Sequence, residues 1–120
     1  MIDFSRKVTP DGVLVVRLGG RLDFNACEYF FTCMQDEIDN GYHQIVVDCR
    51  DLGHLSSAGL GMLVRARGRV KKHGGFICLA RLQSGIADLF HFLHMDKIFQ
   101  IYPRVRDALA AIDANPSTVE

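Results

Sequence analysis

Residues 44–64 read QIVVDCRDLGHLSSAGLGMLV, and this stretch decides the fold class. The apolar, β-branched run at residues 45–49 predicts a buried strand, followed by a short loop. From residue 58 to about residue 72, apolar side chains recur at spacings of three and four, which predicts an amphipathic helix. A buried strand that leads into such a helix is the repeating unit of an α/β fold. Ser56 and Ser57 stand where the predicted helix begins.

The segments on either side extend this alternation of strands and helices. Thr-Pro-Asp-Gly at residues 9–12 is a turn sequence that predicts a hairpin at the start of the chain. The loop at residues 19–25 leads into a helix that Asn25 or Asp23 could cap. The predicted strands are 2–8, 13–18, 45–49, 76–80 and 98–102, and the predicted helices are 26–39, 58–72, 84–93 and 105–112.

This order, β-β-α-β-α-β-α-β-α, predicts an α/β fold in one domain, with a mixed, mostly parallel sheet of about five strands and about four helices. Strands that alternate with helices form parallel sheets through crossover connections, and the opening hairpin adds one antiparallel edge. A chain of 120 residues has the usual size of a single domain.

Composition excludes several classes of function. The 14 basic and 14 acidic residues give a formal net charge of zero, whereas nucleic-acid-binding domains normally carry a basic excess. No apolar run approaches the roughly 20 residues that span a bilayer, and the first residues show no apolar signal segment. We therefore expect a cytoplasmic protein without a nucleic-acid or membrane partner. Its four cysteines, Cys27, Cys33, Cys49 and Cys78, lie in apolar segments and are predicted to be reduced core thiols.

The hydroxyl pair at the start of the second helix supports two interpretations. Serine is among the preferred residues for capping a helix. A helix start also stabilises a phosphate group, because its first N–H groups lack partners and its dipole end is positive. Asp23 follows a predicted strand and would lie at the same edge of the sheet as Ser57, provided that both strands run parallel. Capping of the first helix is the alternative role for Asp23.

Other clusters carry weaker signals. His91 and His94, with Asp88 one turn earlier, have a spacing that can hold a metal, but no third firm ligand is evident and we predict no metal site. The basic residues between 65 and 73 predict a solvated helix face, with contact to an acidic partner or a nucleotide phosphate as the alternative. The sequence contains no phosphate-binding loop, dinucleotide fingerprint or nucleophile elbow. We therefore expect neither a cofactor nor enzymatic activity.

Four motifs together resemble the STAS family, and bacterial anti-sigma factor antagonists in particular. They are Leu-Gly-Gly-Arg-Leu-Asp at residues 18–23, Ile-Val-Val-Asp at 45–48, Leu-Ser-Ser-Ala-Gly-Leu-Gly at 55–61 and Gly-Gly at 74–75. The resemblance covers roughly residues 2–112. It implies a STAS domain over residues 1–113 and a flexible C-terminal tail over residues 114–120.

The resemblance also implies a function. Such antagonists bind a serine kinase of the histidine-kinase-like ATPase type, which is itself an anti-sigma factor, and a serine phosphatase is a further implied partner. Phosphorylation of a serine in an Asp-Ser-x-Gly motif releases the kinase. Ser57 occupies the acceptor position, whereas Ser56 stands where the aspartate usually stands and is the alternative acceptor. The partner surface implied by this resemblance comprises Asp23, Asn25, Ser56, Ser57, Ala58 and Gly59.

Two other classes of function stay open at this point. The chain could be a STAS scaffold that is not phosphorylated, or a transporter-linked subunit. It could also be an enzyme or a small-molecule binder with chemistry of its own.

Overall fold

A five-stranded sheet, with its strands in chain order β1-β2-β3-β4-β5, organises the residues that the computed structural model describes, 2–114. The hairpin of β1 and β2 is antiparallel, and every other neighbouring pair of strands is parallel. The predicted α/β fold and its mixed sheet are therefore confirmed. The elements are β1 Ile2–Val8, β2 Leu14–Leu22, α1 Cys27–Asp39, β3 Gln44–Leu55, α2 Ser57–Lys71, β4 Phe76–Ala80, α3 Ser84–Phe92, a 3₁₀ turn Met95–Lys97, β5 Gln100–Tyr102 and α4 Val105–Ala114.

The sheet separates two apolar layers. On one face, α1, α2 and α3 bury the larger core, in which the rings of Phe4 and Phe30 meet edge to face with centroids 6.4 Å apart. On the other face, α4 packs its residues Ala108 and Ile112 into a smaller core with Val46, Cys78 and Ala80 of the sheet. The alternation of side chains along each strand supplies both layers, because successive residues point to opposite faces.

The strands β2 and β3 are longer than their sequence indicates. Residues 19–22 and 50–55 were expected to be loops because of their glycines and charged residues, but they continue the parallel pair as far as Leu22 and Leu55. Two shifts in the register between β2 and β3 accommodate these residues within the parallel pair. Arg17 Nε lies 3.1 Å from Asp51 Oδ2 across the two strands. Tertiary pairing thus overrides local composition at the carboxyl ends of both strands.

Several predicted boundaries shift by one or two residues. The helix α2 begins at Ser57 rather than residue 58, and β5 begins at Gln100 rather than residue 98. Val64 is one of the apolar residues whose spacing predicts this helix and would place it in the core, but it is 37% exposed, because α2 buries a narrower stripe that runs through Ala66. The helix α4 continues to Ala114, two residues beyond its predicted end, and residues 115–120 of the predicted tail lie outside the described residues.

An ion pair between the buried Asp48 and the partly exposed Arg81 fixes the loop after β4. Arg81 donates from Nε and Nη2 to the two carboxylate oxygens of Asp48, at 2.9 and 2.6 Å. Arg81 has φ +59° and its backbone N–H bonds the carbonyl of Tyr102. Burial alone would raise the pKa of Asp48, but the hydrogen bonds and charge of Arg81, together with the N–H of Arg50, lower it overall.

The cysteines behave largely as predicted. Cys27, Cys49 and Cys78 are buried, whereas Cys33 is only half-buried, and all four are free thiols. Burial raises the pKa of both Cys49 and Cys78 to about 12, so neither forms a reactive thiolate at neutral pH. No helix within residues 2–114 is long and apolar enough to cross a bilayer.

Candidate functional site

The candidate site lies where β2 and β3 end side by side. Leu22 and Leu55 are paired residues of these two parallel strands, so the segments that follow them, beginning at Asp23 and Ser56, leave the sheet at the same edge. The parallel orientation on which this expectation depended is therefore confirmed. The first turn of α2 begins at this edge, immediately after β3.

Ser56 is the N-cap of α2. Its backbone is extended, with φ −85° and ψ 168°, and its Oγ accepts the N–H of Gly59 at 3.1 Å. The same hydroxyl donates to the carbonyl oxygen of Leu22 at 3.3 Å, and the N–H of Ser56 donates to that oxygen at 3.0 Å. The half-buried Ser56 hydroxyl is thus used as both donor and acceptor, which ties the helix start to the end of β2.

Ser57 differs from Ser56 in position and exposure. It is the first residue of α2 and is exposed, and within residues 2–114 its hydroxyl has no hydrogen-bond partner. The adjacent backbone N–H groups of the first helical turn provide a positive dipole end beside it. The two adjacent hydroxyls are therefore in different environments, since Ser56 caps the helix and Ser57 is exposed at its first position.

Gly59 allows the helix to approach β2 closely. A Cβ atom at this position would clash with the carbonyl oxygen of Leu22 and would lie 2.8 Å from Leu22 Cγ and 3.1 Å from Leu55 Cδ1. Gly59 is buried by these neighbours, whereas Ala58 is half-buried. The structure therefore gives Gly59 a packing role, and its predicted part in partner binding stays a prediction.

Asp23 organises the loop before α1. Its Oδ1 and its carbonyl oxygen each lie 3.1 Å from the N–H of Ala26, which directly precedes the helix. Ala26 occupies the N-cap position and no side chain caps there, so neither Asn25 nor Asp23 is the N-cap of α1, as one of them was predicted to be. Asp23 is half-buried and Asn25 is exposed, and both follow the end of β2 at the edge of the sheet where α2 begins.

Two exposed aromatic residues near this edge were not anticipated. Phe24 is 76% exposed and Tyr29 is 56% exposed. Tyr29 also lines a cavity of about 540 Å³ together with Ile2, Asp23, Asn25 and Ala26. The available sequence signal for Phe24 was an aromatic residue between two polar residues, Asp23 and Asn25, in a predicted loop.

The histidine pair and the basic stretch of α2 make local contacts within the domain. His91 Nδ1 lies 3.2 Å from Asp96 Oδ2, and His94 has φ +59° at the end of α3. Residues 2–114 contain no group of three histidine, cysteine or acidic side chains placed to hold a metal ion. In the basic stretch of α2, the guanidinium of Arg65 lies 4.4 Å from the ring centroid of Phe31, against which Arg69 also packs.

The model of the STAS domain family matches residues 5–108, and the chain therefore belongs to this family. Among its relatives, an anti-sigma F factor antagonist from Paenibacillus polymyxa is 26% identical over 103 residues, which are 85% of this chain and 88% of that protein.

Solved structures show the same fold. The crystal structure of an anti-sigma factor antagonist from Mycobacterium paratuberculosis has a TM-score of 0.84 at 23% identity, over 94% of this chain and 95% of that one. The anti-sigma factor antagonist SpoIIAA in its unphosphorylated form has a TM-score of 0.79 at 18% identity, over 93% and 97%. At these identities the structural likeness establishes the fold, and function has to be argued from the site.

Proposed function

We propose that this chain is a cytoplasmic anti-sigma factor antagonist that binds a serine kinase acting as the anti-sigma factor, and that phosphorylation of Ser57 releases the kinase. The observation that carries this proposal is the contrast between the two adjacent hydroxyls. Ser56 Oγ makes two hydrogen bonds within the domain, whereas Ser57 is exposed. A kinase can reach Ser57 without breaking the contacts that hold the helix start.

The position of Ser57 suits a phosphate group. Phosphorylation adds about 1.5 to 2 negative charges at neutral pH. The start of α2 can stabilise that charge by up to about 1 kcal/mol through its dipole and free N–H groups. No acidic residue stands in the first turn of α2, so no carboxylate there repels the phosphate. The free domain can therefore carry the modification without rearranging.

Release of the partner then follows from local repulsion. A kinase surface packed over the start of α2 would meet new charge and bulk in a desolvated contact, which can cost several kcal/mol. Asp23 and Asn25 supply polar groups to this surface, and Phe24 and Tyr29 supply exposed aromatic area that a partner would cover. The domain acts by binding in this proposal, and turnover is confined to the kinase and to a serine phosphatase.

The test is phosphorylation of the purified chain by candidate kinases of the histidine-kinase-like class from the source organism, followed by mass spectrometry. Ser57→Ala should abolish phosphate incorporation. Ser56→Asn is the matched variant, because asparagine retains a capping side chain but removes the alternative hydroxyl. Modification should persist in Ser56→Asn. Persistence in Ser57→Ala with loss in Ser56→Asn would assign the acceptor to Ser56 instead. Tight kinase binding without any modification would favour the scaffold alternative.

A second measurement tests how release occurs. Amide NMR shifts of the unmodified and phosphorylated chains should differ only around Ser57 and the first turn of α2, while kinase affinity falls by about a hundredfold or more. Shifts spread through the sheet, α3 and α4 would show a conformational switch and contradict local release.

A further inference from the structure

A cavity of about 370 Å³ lies at the opposite end of α2, between α2, α4 and the outer edge of the sheet. It exists because β5 is short. The first paired residue of β5, Gln100, stands opposite Cys78, so Phe76 and Ile77 have a strand neighbour only on the β3 side. The missing continuation of β5 leaves a notch beside the start of β4.

The walls of this notch combine apolar side chains with polar and charged groups. The sheet contributes side chains from β4 and β5, the segment before β5 contributes one isoleucine, and the last turns of α4 close the far side. The apolar side chains that line the cavity are Phe76, Ile77, Ile98, Tyr102, Ala111 and Ile112. Gln100 adds a polar group, and its Oε1 accepts the hydroxyl of Tyr102 at 2.9 Å.

Two cations complete the lining. Arg67 and Lys71 are four residues apart on α2, so they project from the same side of the helix. None of the residues between 2 and 114 that line the cavity is acidic. Among the same residues, neither cation has a carboxylate within 4.0 Å, although four arginines elsewhere do at 3.1 Å or less. A cavity whose described lining combines apolar side chains with two cations is complementary to an anion that carries an apolar body.

We propose that this cavity binds a small amphipathic organic anion, with its apolar body against β4 and α4 and its anionic group between Arg67 and Lys71. The site is independent of the proposed kinase surface. Ser57 and Lys71 are the first and last residues of α2, about 21 Å apart at the helical rise of 1.5 Å per residue. The ligand can therefore be bound whether or not Ser57 is modified.

The test compares two fluorescent probes that share one ring system. Anilinonaphthalene sulfonate carries an anionic group, and N-phenylnaphthylamine is its neutral counterpart. The sulfonate should bind at one site per chain, with amide NMR shifts at Gly75, Gln100 and Ala111. In Arg67→Gln/Lys71→Gln its affinity should fall by about tenfold, because both charge contacts to the sulfonate are removed. Binding of the neutral probe should not change in this variant.

Two further variants serve as controls. Lys72→Gln removes a cation that follows α2 but does not line the cavity, and both probes should bind to it normally. Ala111→Phe fills the cavity and should reduce binding of both probes. Inorganic phosphate, which lacks an apolar body, should not displace the sulfonate probe at equal concentration.

Three results would overturn the proposal. They are unchanged sulfonate affinity in Arg67→Gln/Lys71→Gln, NMR shifts that map to another surface, and displacement by inorganic phosphate, which would indicate a plain anion site. None of these results bears on phosphorylation of Ser57, so failure of this proposal is distinguishable from failure of the proposed function.

Discussion

Replacement of the two adjacent serines should affect stability very differently. Ser56→Ala removes the acceptor for the Gly59 N–H, a capping contact typically worth about 1 kcal/mol. It also removes the hydroxyl bond to the Leu22 carbonyl at 3.3 Å, but that oxygen keeps the backbone N–H of Ser56 as a donor, so the additional loss is small. The free energy of unfolding should therefore fall by about 1 to 1.5 kcal/mol.

Ser57→Ala should leave stability nearly unchanged. The hydroxyl of Ser57 is exposed, and alanine is the better helix former, so the expected change lies within about 0.5 kcal/mol. For a domain of this size, 1 kcal/mol corresponds to about 4 °C in Tm. Ser56→Ala should thus melt about 4 to 6 °C earlier than the wild type, and Ser57→Ala within about 2 °C of it.

Thermal unfolding followed by circular dichroism, with urea unfolding as a second measure, checks both values. Ser56→Asn is the control, because a retained capping side chain should recover most of the loss. Equal destabilisation by Ser56→Ala and Ser57→Ala would refute the assignment of separate roles to the two hydroxyls. A larger loss in Ser57→Ala would show that Ser57 is the cap.

Three further predictions concern the neighbourhood of the site and the ion pair between Asp48 and Arg81. Asp23→Ala should weaken kinase binding in a pull-down or calorimetric assay while costing no more than about 1 kcal/mol of stability, and normal binding with early melting would make Asp23 purely structural. Gly59→Ala should lower the free energy of unfolding in urea by about 1 to 3 kcal/mol, because the added Cβ meets the backbone of β2. Gly61→Ala is the control, since the space around Gly61 is open and this substitution should be neutral or stabilising. The folded-state pKa of Asp48 is lowered, so the stability that its ionised carboxylate contributes is complete above its ordinary pKa of 3.8 and is lost as the pH falls through the lower folded-state value. Asp48→Asn should therefore lose less stability than the wild type when the pH is lowered. Parallel plots of unfolding free energy against pH for the two proteins would contradict this.

The order of elements could be predicted because periodicity and turn residues specify it. The ends of β2 and β3 could not, because residues 19–22 and 50–55 become strands through pairing with distant parts of the chain, which local sequence does not encode. Local composition at these residues, rich in glycine and charge, favours a loop, and the stabilisation comes from contacts between distant parts of the chain. The placement of Val64 failed for a related reason, since the width of a buried helix stripe depends on what packs against it.

The candidate site shows the same limit. Sequence motifs located both serines at a helix start, but a difference of one residue in backbone geometry decides which hydroxyl is the cap. The cavity beside Arg67 and Lys71 left no local signal at all. The cavity depends on the length of β5. This strand is short because its pairing with β4 begins only opposite Cys78.

The spatial order of the strands, identical to their order along the chain, has a consequence for how the domain assembles. Each new strand joins an edge that already exists, so no later segment has to insert between strands already paired. During synthesis the sheet can grow outward from the hairpin of β1 and β2, one crossover at a time, and every intermediate exposes a single growing edge. The shortest strand, β5, is added last, so the final closing step requires only three residues to find their register.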